Sequence, residues 1–421
     1  MNIENLEKNI LQIGRQAKEA SRYVSQLSTN SKNKILCSAA ENLMKNKDLI
    51  LKANELDIKE NKDKLNSATL DRLILDEKRI ESISIGLEEI SMLEDPVGKI
   101  IEKWSRPNGL KIEKISIPLG VIGVIYESRP NVSADAAGLC LKSGNALILR
   151  GGSESFHSSS KIVEIINHSY ENFKLPAGIL QYIPTKDRNA VGHLLKMDNY
   201  VDVIIPRGGR SLIERVINES KVHVIRHLDG ICHTYIHKSS IANLSKDVAV
   251  NAKMRRPGIC GATETILIDK EVLSTHLPDI IKSLTDMNCE VRGDKNVLAI
   301  NNTLKLANEE DWRTEYLDKI VSIKTIFKGV EEAVNHINLY GSGHTDAILS
   351  EDEETVNYFL NNVDSGIVMH NTSTQFADGG EFGMGAEIGI STGRIHARGP
   401  VGAAQLTSFK YIVRGNHQLR G

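Results

Sequence analysis

Roughly the first ninety residues carry apolar side chains at the spacing of α-helices. Two sets recur every three or four positions: Ile3, Leu6, Ile10, Ala17 and Val24, then Ile35, Leu36, Ala39, Leu43 and Leu49. Lys, Glu and Asn fill the positions between them, which is typical of a solvated helix face and less often of a partner-binding face. The pattern predicts amphipathic helices, and no catalytic chemistry is visible in them.

From Leu119 the pattern changes to short apolar runs that helical stretches separate. Four runs follow one another: LGVIGVIYESRP (119–130), NALILRGG (145–152), GILQYIPT (178–185) and VDVIIPRGG (201–209). They are rich in Val and Ile and apolar on both faces, as parallel strands between two helix layers are. The alternation predicts a doubly wound α/β unit.

A second alternation begins near Cys232. The predicted strands are ICHTYIH (231–237), TETILID (263–269), NVLAI (296–300), IVSIKTI (320–326) and TDAILS (345–350), and the predicted helices cover 240–254 and 271–288. This is a second α/β unit, with the seam near Gly230. Residues 103–114 and the C-terminal YIVRGNHQLRG are polar and fit neither core. They are either arms that pair with another subunit or surface segments.

Composition removes several classes of function. The 421 residues contain 52 Lys and Arg against 54 Asp and Glu, a formal charge of -2, which argues against a nucleic-acid or membrane-surface binder. An apolar fraction of 40% is that of a globular protein, and the length favours two domains. No run reaches the ~20 apolar residues of a membrane span. We expect a cytoplasmic protein.

The five cysteines lack the spacing of a disulfide framework or a zinc ribbon. Cys260 stands out because it follows Arg255, Arg256 and a Pro-Gly break, where nearby positive charge favours a thiolate, although a structural cysteine is the commoner case. His223, His227, Cys232, His233 and His237 resemble a metal cluster. Strand-like spacing sets residues four apart ~13 Å from each other, so we expect no metal site.

Two glycine turns follow predicted strands, Arg150-Gly151-Gly152-Ser153 and Pro206-Arg207-Gly208-Gly209-Arg210-Ser211. Such turns bring helix N-terminal amides to a phosphate, although each alone is more often an ordinary βα turn. Together they favour a dinucleotide, and Arg beside the turn suits the 2′-phosphate of NADP. The GxGxxG fingerprint is absent. A cysteine nucleophile beside a nucleotide fits a dehydrogenase or an acyltransferase, and this chemistry does not choose between them.

Longer motifs identify a family. Residues 119–132, 145–152 and 205–209, the RRPxxC stretch (255–260), and 333–337 with 340–348 resemble the gamma-glutamyl phosphate reductases of the aldehyde dehydrogenase superfamily over nearly the whole chain. The resemblance implies an aldehyde-dehydrogenase-like fold of two doubly wound α/β domains. It also implies NADPH-dependent reduction of L-glutamyl 5-phosphate to glutamate 5-semialdehyde through a cysteine thioester, the second step of proline synthesis from glutamate.

The resemblance assigns roles residue by residue. Cys260 matches the nucleophile, and Asn131 matches the asparagine that binds the tetrahedral oxygen together with the Cys260 backbone N–H. The cofactor-binding set is Arg150, Gly151 and Ser153 for the adenosine ribose and its 2′-phosphate, Arg207, Gly208 and Gly209 for the pyrophosphate, and Glu315 for the nicotinamide ribose. Arg129, Arg256 and His344 are candidates for the carboxylate or phosphate of the substrate.

The resemblance also divides the chain. Residues 1–100 and 118–230 would form the NADPH-binding domain, 231–380 the catalytic domain, and 101–117 with 400–421 an oligomerisation element. The expected partners are the small-molecule substrate and further copies of the chain, with no nucleic acid and no membrane. A complex with the glutamate 5-kinase that makes the substrate would suit an unstable acyl phosphate, but no residue of the sequence argues for it or against it.

Two positions depart from related patterns. Hydrolytic aldehyde dehydrogenases carry a Glu base near residues 227–230, where none occurs here, which suits a reductase that must keep water from its thioester. Gly261 stands where Asn usually follows the nucleophile, but glycine still supplies an N–H. A cysteine acyltransferase or thioesterase and a catalytically silent relative remain the alternatives.

Overall fold

A computed structural model describes residues 3–226 and 228–420. The helices are α1 Ile3–Val24, α2 Thr29–Lys45, α3 Lys47–Asn61, α4 Ser67–Leu73, α5 Glu77–Met92, α6 Val132–Lys142, α7 Phe156–Asn172, α8 Asn189–Leu194, α9 Arg210–Glu219, α10 Ala242–Met254, α11 Leu273–Asp286, α12 Lys295–Ile300, α13 Val330–Tyr340 and α14 Glu353–Asn362. The strands are β1 Ile100–Ser105, β2 Lys111–Pro118, β3 Val121–Tyr126, β4 Ala146–Gly151, β5 Leu180–Tyr182, β6 Val203–Arg207, β7 His223–Val224, β8 Cys232–Ile236, β9 Thr263–Asp269, β10 Glu290–Gly293, β11 Lys305–Leu306, β12 Ile320–Ile326, β13 Thr345–Leu349, β14 Ile367–His370, β15 Ile390–Ser391, β16 Gly399–Pro400 and β17 Thr407–Arg414.

The chain forms two compact units. The first contains Met1–Arg226, Gly383–Gly389 and Val401–Gly421, and the second contains His227–Phe382 and Ile390–Pro400. The functional domain boundaries set out above stay a prediction. Among the described residues, the structure has no helix that is both long enough and apolar enough to span a membrane.

The first unit is built on a five-stranded parallel sheet. Its strand order is β5-β4-β3-β6-β7. Val121, Ile125, Ile148 and Ile204 of its central strands are buried with Leu194 and other side chains of the flanking helices. The predicted doubly wound unit is confirmed, and α1 and α2 confirm the predicted amphipathic helices.

Leu49 departs from the predicted helix face, because 46% of it is exposed. The helix that buries Leu43 ends at Lys45, and α3 starts at Lys47 with a different face inward. The break at Asn46 resets the register, so a spacing that looked continuous in sequence belongs to two helices.

The two polar segments pair with each other within one chain. Strand β2 lies between β1 and β17 in an antiparallel three-stranded sheet, with Thr407 opposite Pro118 and Arg414 opposite Lys111. Phe409, Tyr411 and Val413 alternate along β17, so they share one face, and each is about half exposed. The segments are therefore ordered strands that leave an apolar face uncovered in the monomer.

The second unit holds a seven-stranded parallel sheet in the order β11-β10-β12-β9-β8-β13-β14. Ile266 and Ile268 of β9 belong to one core, with α10 and α11. Leu267 between them belongs to a second core, with α13 and α14. Helices thus cover both faces, as predicted.

One predicted strand is wrong. NVLAI lies in helix α12, and the strand of this region is β10, a few residues earlier. The side chain of Asp294 accepts hydrogen bonds from the backbone N–H groups of Asn296 and Val297, which caps a helix start at this point. A five-residue apolar run cannot by its periodicity distinguish a strand from a helix turn, and the cap decides the outcome.

Candidate active site

Cys260 lies on the loop between α10 and β9, and its side chain is partly exposed. The backbone of Gly230 packs directly against Cys260. A Cβ atom at Gly230 would lie 2.2 Å from the carbonyl oxygen and 2.7 Å from the Cβ atom of Cys260. Only a glycine fits there without moving the turn that carries Cys260.

Cys232 is the nearest other thiol, and its environment differs. It is fully buried in β8, its Sγ atom donates to the Cys260 carbonyl oxygen at 3.1 Å, and His344 Nδ1 lies 3.6 Å away. Burial raises the pKa of Cys232 well above its usual value, so this thiol stays protonated. Burial also raises the pKa of Cys140 and Cys289. Of the three cysteines in the second unit, Cys260 is therefore the one whose thiol is not buried, whereas Cys37 on α2 of the first unit is also partly exposed.

Glu315, on the loop before β12, contacts Gly230. Its Oε1 atom accepts the N–H of Gly230 at 2.8 Å. Burial raises the pKa of Glu315, and the hydrogen bond from Gly230 opposes that rise. The structure thus brings Glu315 into contact with the residue that backs Cys260.

The substrate-binding candidates of this unit have unlike surroundings. His344 is fully buried, with Nδ1 at 2.9 Å from the Thr345 hydroxyl, whereas Arg256 is exposed on the Cys260 loop. Cys232 Sγ contacts both His344 Nδ1 and the Cys260 carbonyl oxygen.

A buried ion pair in this region was missed by the sequence analysis. Lys253 Nζ lies 2.5 Å from Glu264 Oε2, and both side chains are fully buried. Burial raises the pKa of Glu264 to about 7, against the opposing effect of Lys253. The available signal was a carboxylate inside TETILID, a strand whose seven residues are all buried. Such a group needs a partner.

The turn after β6 is suited to an anion. Helix α9 begins directly after Gly209, and the Gly209 N–H donates to Glu127 Oε2 at 2.8 Å. A Cβ atom at Gly208 would lie 2.5 Å from the same oxygen. The N–H at the start of α9 thus binds an anionic oxygen, and a phosphate group would take the place of the Glu127 carboxylate there. The residues present fit the pyrophosphate of a dinucleotide.

Arg150 lies at the end of β4 and is buried. Its guanidinium donates to the carbonyl oxygen of Gly151 at 2.7 Å and to that of Asp187 at 3.3 Å, while the buried Nε atom has no hydrogen-bond partner. Burial lowers the pKa of Arg150. Ser153 begins the short 3-10 helix that follows, with its hydroxyl 3.3 Å from Glu154 Oε2. Arg150 therefore braces the turn.

Asn131 lies at the start of α6, on the loop after β3. Its Nδ2 atom donates to Asp135 Oδ2 at 3.0 Å, and burial raises the pKa of Asp135 to about 6. In the same loop, Ser128 has a φ of 43°, and both its N–H and its hydroxyl donate to Glu154 Oε1 at 2.8 Å. Arg129, between these residues, is partly exposed.

The described parts of the chain contain no cluster of side chains that could bind a metal ion. Within residues 3–226 and 228–420, no group of three or more His, Cys, Asp or Glu side chains is arranged to hold an ion. His227, one member of the sequence cluster, lies outside the described residues.

The chain is similar over its length to known proteins. The model of the aldehyde dehydrogenase family matches residues 4–300. The gamma-glutamyl phosphate reductase of Paramagnetospirillum magneticum is 52% identical over 421 residues, which are 100% of this chain and 99% of that protein. The crystal structure of the gamma-glutamyl phosphate reductase of Thermotoga maritima is 38% identical, with a TM-score of 0.95 over 98% of this chain and 100% of that one.

The chain belongs to the aldehyde dehydrogenase family. Full-length identity places it, within that family, among the gamma-glutamyl phosphate reductases. An acetylating aldehyde dehydrogenase from Geobacillus thermoglucosidasius, 16% identical with a TM-score of 0.69 over 99% of this chain and 98% of that one, shares the fold. The protein is an oxidoreductase of proline biosynthesis that uses a nicotinamide cofactor and acts on a small-molecule substrate.

Proposed function

We propose that Cys260 is the nucleophile in the reduction of L-glutamyl 5-phosphate, and that NADPH is the reductant. The partial exposure of Cys260 carries this proposal, because burial keeps Cys232, the nearest thiol, protonated. The identity with gamma-glutamyl phosphate reductases supports the substrate.

In the proposed reaction, the acyl group is carried by the Cys260 sulfur atom between the release of phosphate and the release of the aldehyde. The Cys260 thiolate attacks the acyl carbon, and the bond from that carbon to the phosphate oxygen breaks. Inorganic phosphate departs, and a thioester remains on Cys260. NADPH supplies a hydride when bound. The resulting thiohemiacetal loses the Cys260 thiolate and releases glutamate 5-semialdehyde. One proton is consumed overall.

Charge develops on the carbonyl oxygen during the attack. We assign its stabilisation to the side-chain amide of Asn131 and the backbone N–H of Cys260, a type of contact worth about 3 kcal/mol per donor in comparable enzymes. Asp135 orients the Asn131 amide through the hydrogen bond that the amide donates. We assign the carboxylate and phosphate groups of the substrate to Arg129, Arg256 and His344.

The residues that we assign to the phosphate groups of the cofactor lie at or just after the ends of the parallel strands β4 and β6. The Gly209 N–H, which donates to the Glu127 carboxylate, supports a pyrophosphate position at Arg207, Gly208 and Gly209. We assign the adenosine ribose and the 2′-phosphate to Arg150, Gly151 and Ser153, and the nicotinamide ribose to Glu315. The glycine at 261 retains the N–H of that position.

The remaining assignments complete the proposal. The dinucleotide domain comprises residues 1–100 and 118–230, the catalytic domain 231–380, and the subunit contact 101–117 with 400–421. The half-exposed apolar side chains of β17 support that contact. We place the enzyme in the cytoplasm, in a complex with glutamate 5-kinase. Such a complex would suit a substrate that is an acyl phosphate and cyclises readily.

The test is the reverse reaction. Reduction of NADP with glutamate 5-semialdehyde and phosphate is followed by the absorbance of the reduced nicotinamide, for the wild type, Cys260→Ala and Cys232→Ala. We expect phosphate-dependent turnover that Cys260→Ala abolishes and Cys232→Ala largely retains. Turnover that ignores phosphate would indicate a hydrolytic enzyme, and acyl transfer without nucleotide would indicate an acyltransferase. Nucleotide binding without turnover in the wild type would indicate a silent relative.

A further inference from the structure

A buried ion pair closes the base of the loop that carries Cys260. Lys253 lies in the last turn of α10, and Glu264 is the second residue of β9. Their Nζ and Oε2 atoms are 2.5 Å apart, and neither side chain is exposed. Because residues 255–262 run between them, the pair ties together the two ends of the Cys260 loop.

The same pair holds the loop that carries Glu315. Glu264 Oε1 accepts the N–H of Leu317 at 3.2 Å. Leu317 has a φ of 52°, a left-handed conformation that costs a leucine energy and needs support from its surroundings. Lys253 Nζ lies 5.8 Å from the ring centroid of Tyr316. Both members of the pair therefore contact residues that directly follow Glu315.

The two loops also meet at a second place. Glu315 accepts the N–H of Gly230, and the Cα atom of Gly230 lies against the backbone of Cys260. The Cys260 loop and the Glu315 loop are thus joined at Gly230 and again at the pair of Lys253 and Glu264. A shift at the pair would reach both residues.

Stability alone does not explain this pair. Removing two charges from water is costly, and apolar residues of similar volume in place of a buried pair are often neutral or stabilising. Burial raises the pKa of Glu264 to about 7 even with Lys253 in contact, which reflects that cost. The position of the pair, at the base of two loops, is the feature that stability leaves unexplained.

We propose that Lys253 and Glu264 are positioning residues, which fix the Cys260 loop relative to the Glu315 loop through the hydrogen bond that Leu317 donates to Glu264. This inference rests on the roles proposed above for Cys260 and Glu315. The pair itself touches neither substrate nor cofactor, and acts only through the loops that it joins.

Two double variants test the inference. Lys253→Met/Glu264→Leu and Lys253→Met/Glu264→Gln both remove the two buried charges, but only the second keeps an oxygen for the Leu317 N–H. We expect the leucine variant to lose about tenfold or more in kcat of the reverse reaction, with a melting temperature close to that of the glutamine variant. The glutamine variant should recover most of that loss.

A second readout follows the thiol directly. The rate at which iodoacetamide alkylates Cys260, located by mass spectrometry, should change about threefold or more in the leucine variant and stay near the wild-type value in the glutamine variant. The matched control is Lys32→Met/Asp95→Leu, which removes an ion pair of the first unit, 2.9 Å apart, whose lysine is fully buried and whose aspartate side chain is 11% exposed. That control should retain kcat and the alkylation rate.

Three results would overturn the inference. They are wild-type kcat and alkylation in the leucine variant, losses of equal size in both variants, and losses that simply follow the melting temperature. Failure of the wild type to show phosphate-dependent turnover, or activity in Cys260→Ala, would count against the proposed function instead. In that case the alkylation rates still decide whether the pair positions the loop.

Discussion

Gly230 contacts both Glu315 and Cys260. Its N–H donates to Glu315, and its Cα atom faces the backbone of Cys260. The absence of a side chain is what allows both contacts, because a Cβ atom would lie 2.2 Å from the Cys260 carbonyl oxygen. The geometry of Cys260, the nucleophile that we propose, thus depends on a residue that has no side chain.

We expect Gly230→Ala to lower kcat by about a hundredfold, because a displaced nucleophile loses its alignment with the acyl carbon. The affinity for NADPH should change only to the small extent that any loss of overall stability, measured by the melting temperature, would cause. Steady-state kinetics of the reverse reaction and a fluorescence titration with NADPH measure the two effects.

The control for this variant is Gly86→Ala on α5, where an added Cβ atom would meet nothing within 4 Å apart from its chain neighbours and the backbone of its own helix. Alanine favours a helix by about 1 kcal/mol over glycine, so this control should be slightly more stable and fully active. Wild-type activity in Gly230→Ala would show that the Cys260 turn tolerates displacement.

At the scale of elements, the loop between β3 and α6 is held by its neighbours. Ser128 adopts a left-handed conformation and gives two hydrogen bonds to Glu154, at the start of the segment after β4. Asn131 follows three residues later and is tied to Asp135 one turn into α6. The loop therefore presents the Asn131 amide from a braced backbone.

Replacing Asn131 by alanine should lower kcat by about a hundredfold, because one donor to the developing oxyanion is lost. Affinity for NADPH should stay unchanged. The measurement is kcat and KM for phosphate and aldehyde in the reverse reaction, with the exposed Asn357→Ala on α14 as the control. An effect on KM alone would assign Asn131 to substrate holding.

The sequence predicted elements well where composition and length agreed. The runs that form β3, β4 and β6 were predicted correctly because they are rich in Val and Ile and bounded by Gly or Pro, which favours a buried strand over a helix. NVLAI failed because its outcome depends on the cap at Asp294. The pairing of β2 with β17 could not be read from two polar segments far apart in the chain.

The roles of the candidate site residues stay a prediction. Motifs pointed to Cys260 and Glu315, but the contacts that organise them lie between distant segments. Glu264 stands out as a carboxylate within a buried strand, but its partner Lys253, eleven residues earlier, looks like an ordinary charged residue of a helix. Only their burial in the folded unit makes them a pair, and burial of a charge follows from tertiary packing.

At the scale of the molecule, the face of β17 is the feature that a monomer does not explain. Phe409, Tyr411 and Val413 are about half exposed side by side, and Tyr411 packs edge-on against Trp104 at 6.1 Å. A contiguous apolar patch of this kind is typical of a contact with another protein surface. Further copies of the chain are the partner that we propose.

We expect Phe409→Glu/Tyr411→Glu to shift the protein to a smaller species, because two charges on this face would be costly to bury in a contact. Size-exclusion chromatography with light scattering measures the mass. Tyr23→Glu, which changes a tyrosine of α1 with 46% exposure, is the control and should leave the mass unchanged. An unchanged mass in the double variant would place the subunit contact elsewhere.

The pairing of β17 with β2 also constrains the order of events during synthesis on the ribosome. Strands β1 and β2 are made early, yet β17, which completes their sheet, is made after every strand of the seven-stranded sheet. Until then the free edge of β2 can pair with other chains. The three-stranded sheet should therefore be among the last parts of the nascent chain to form.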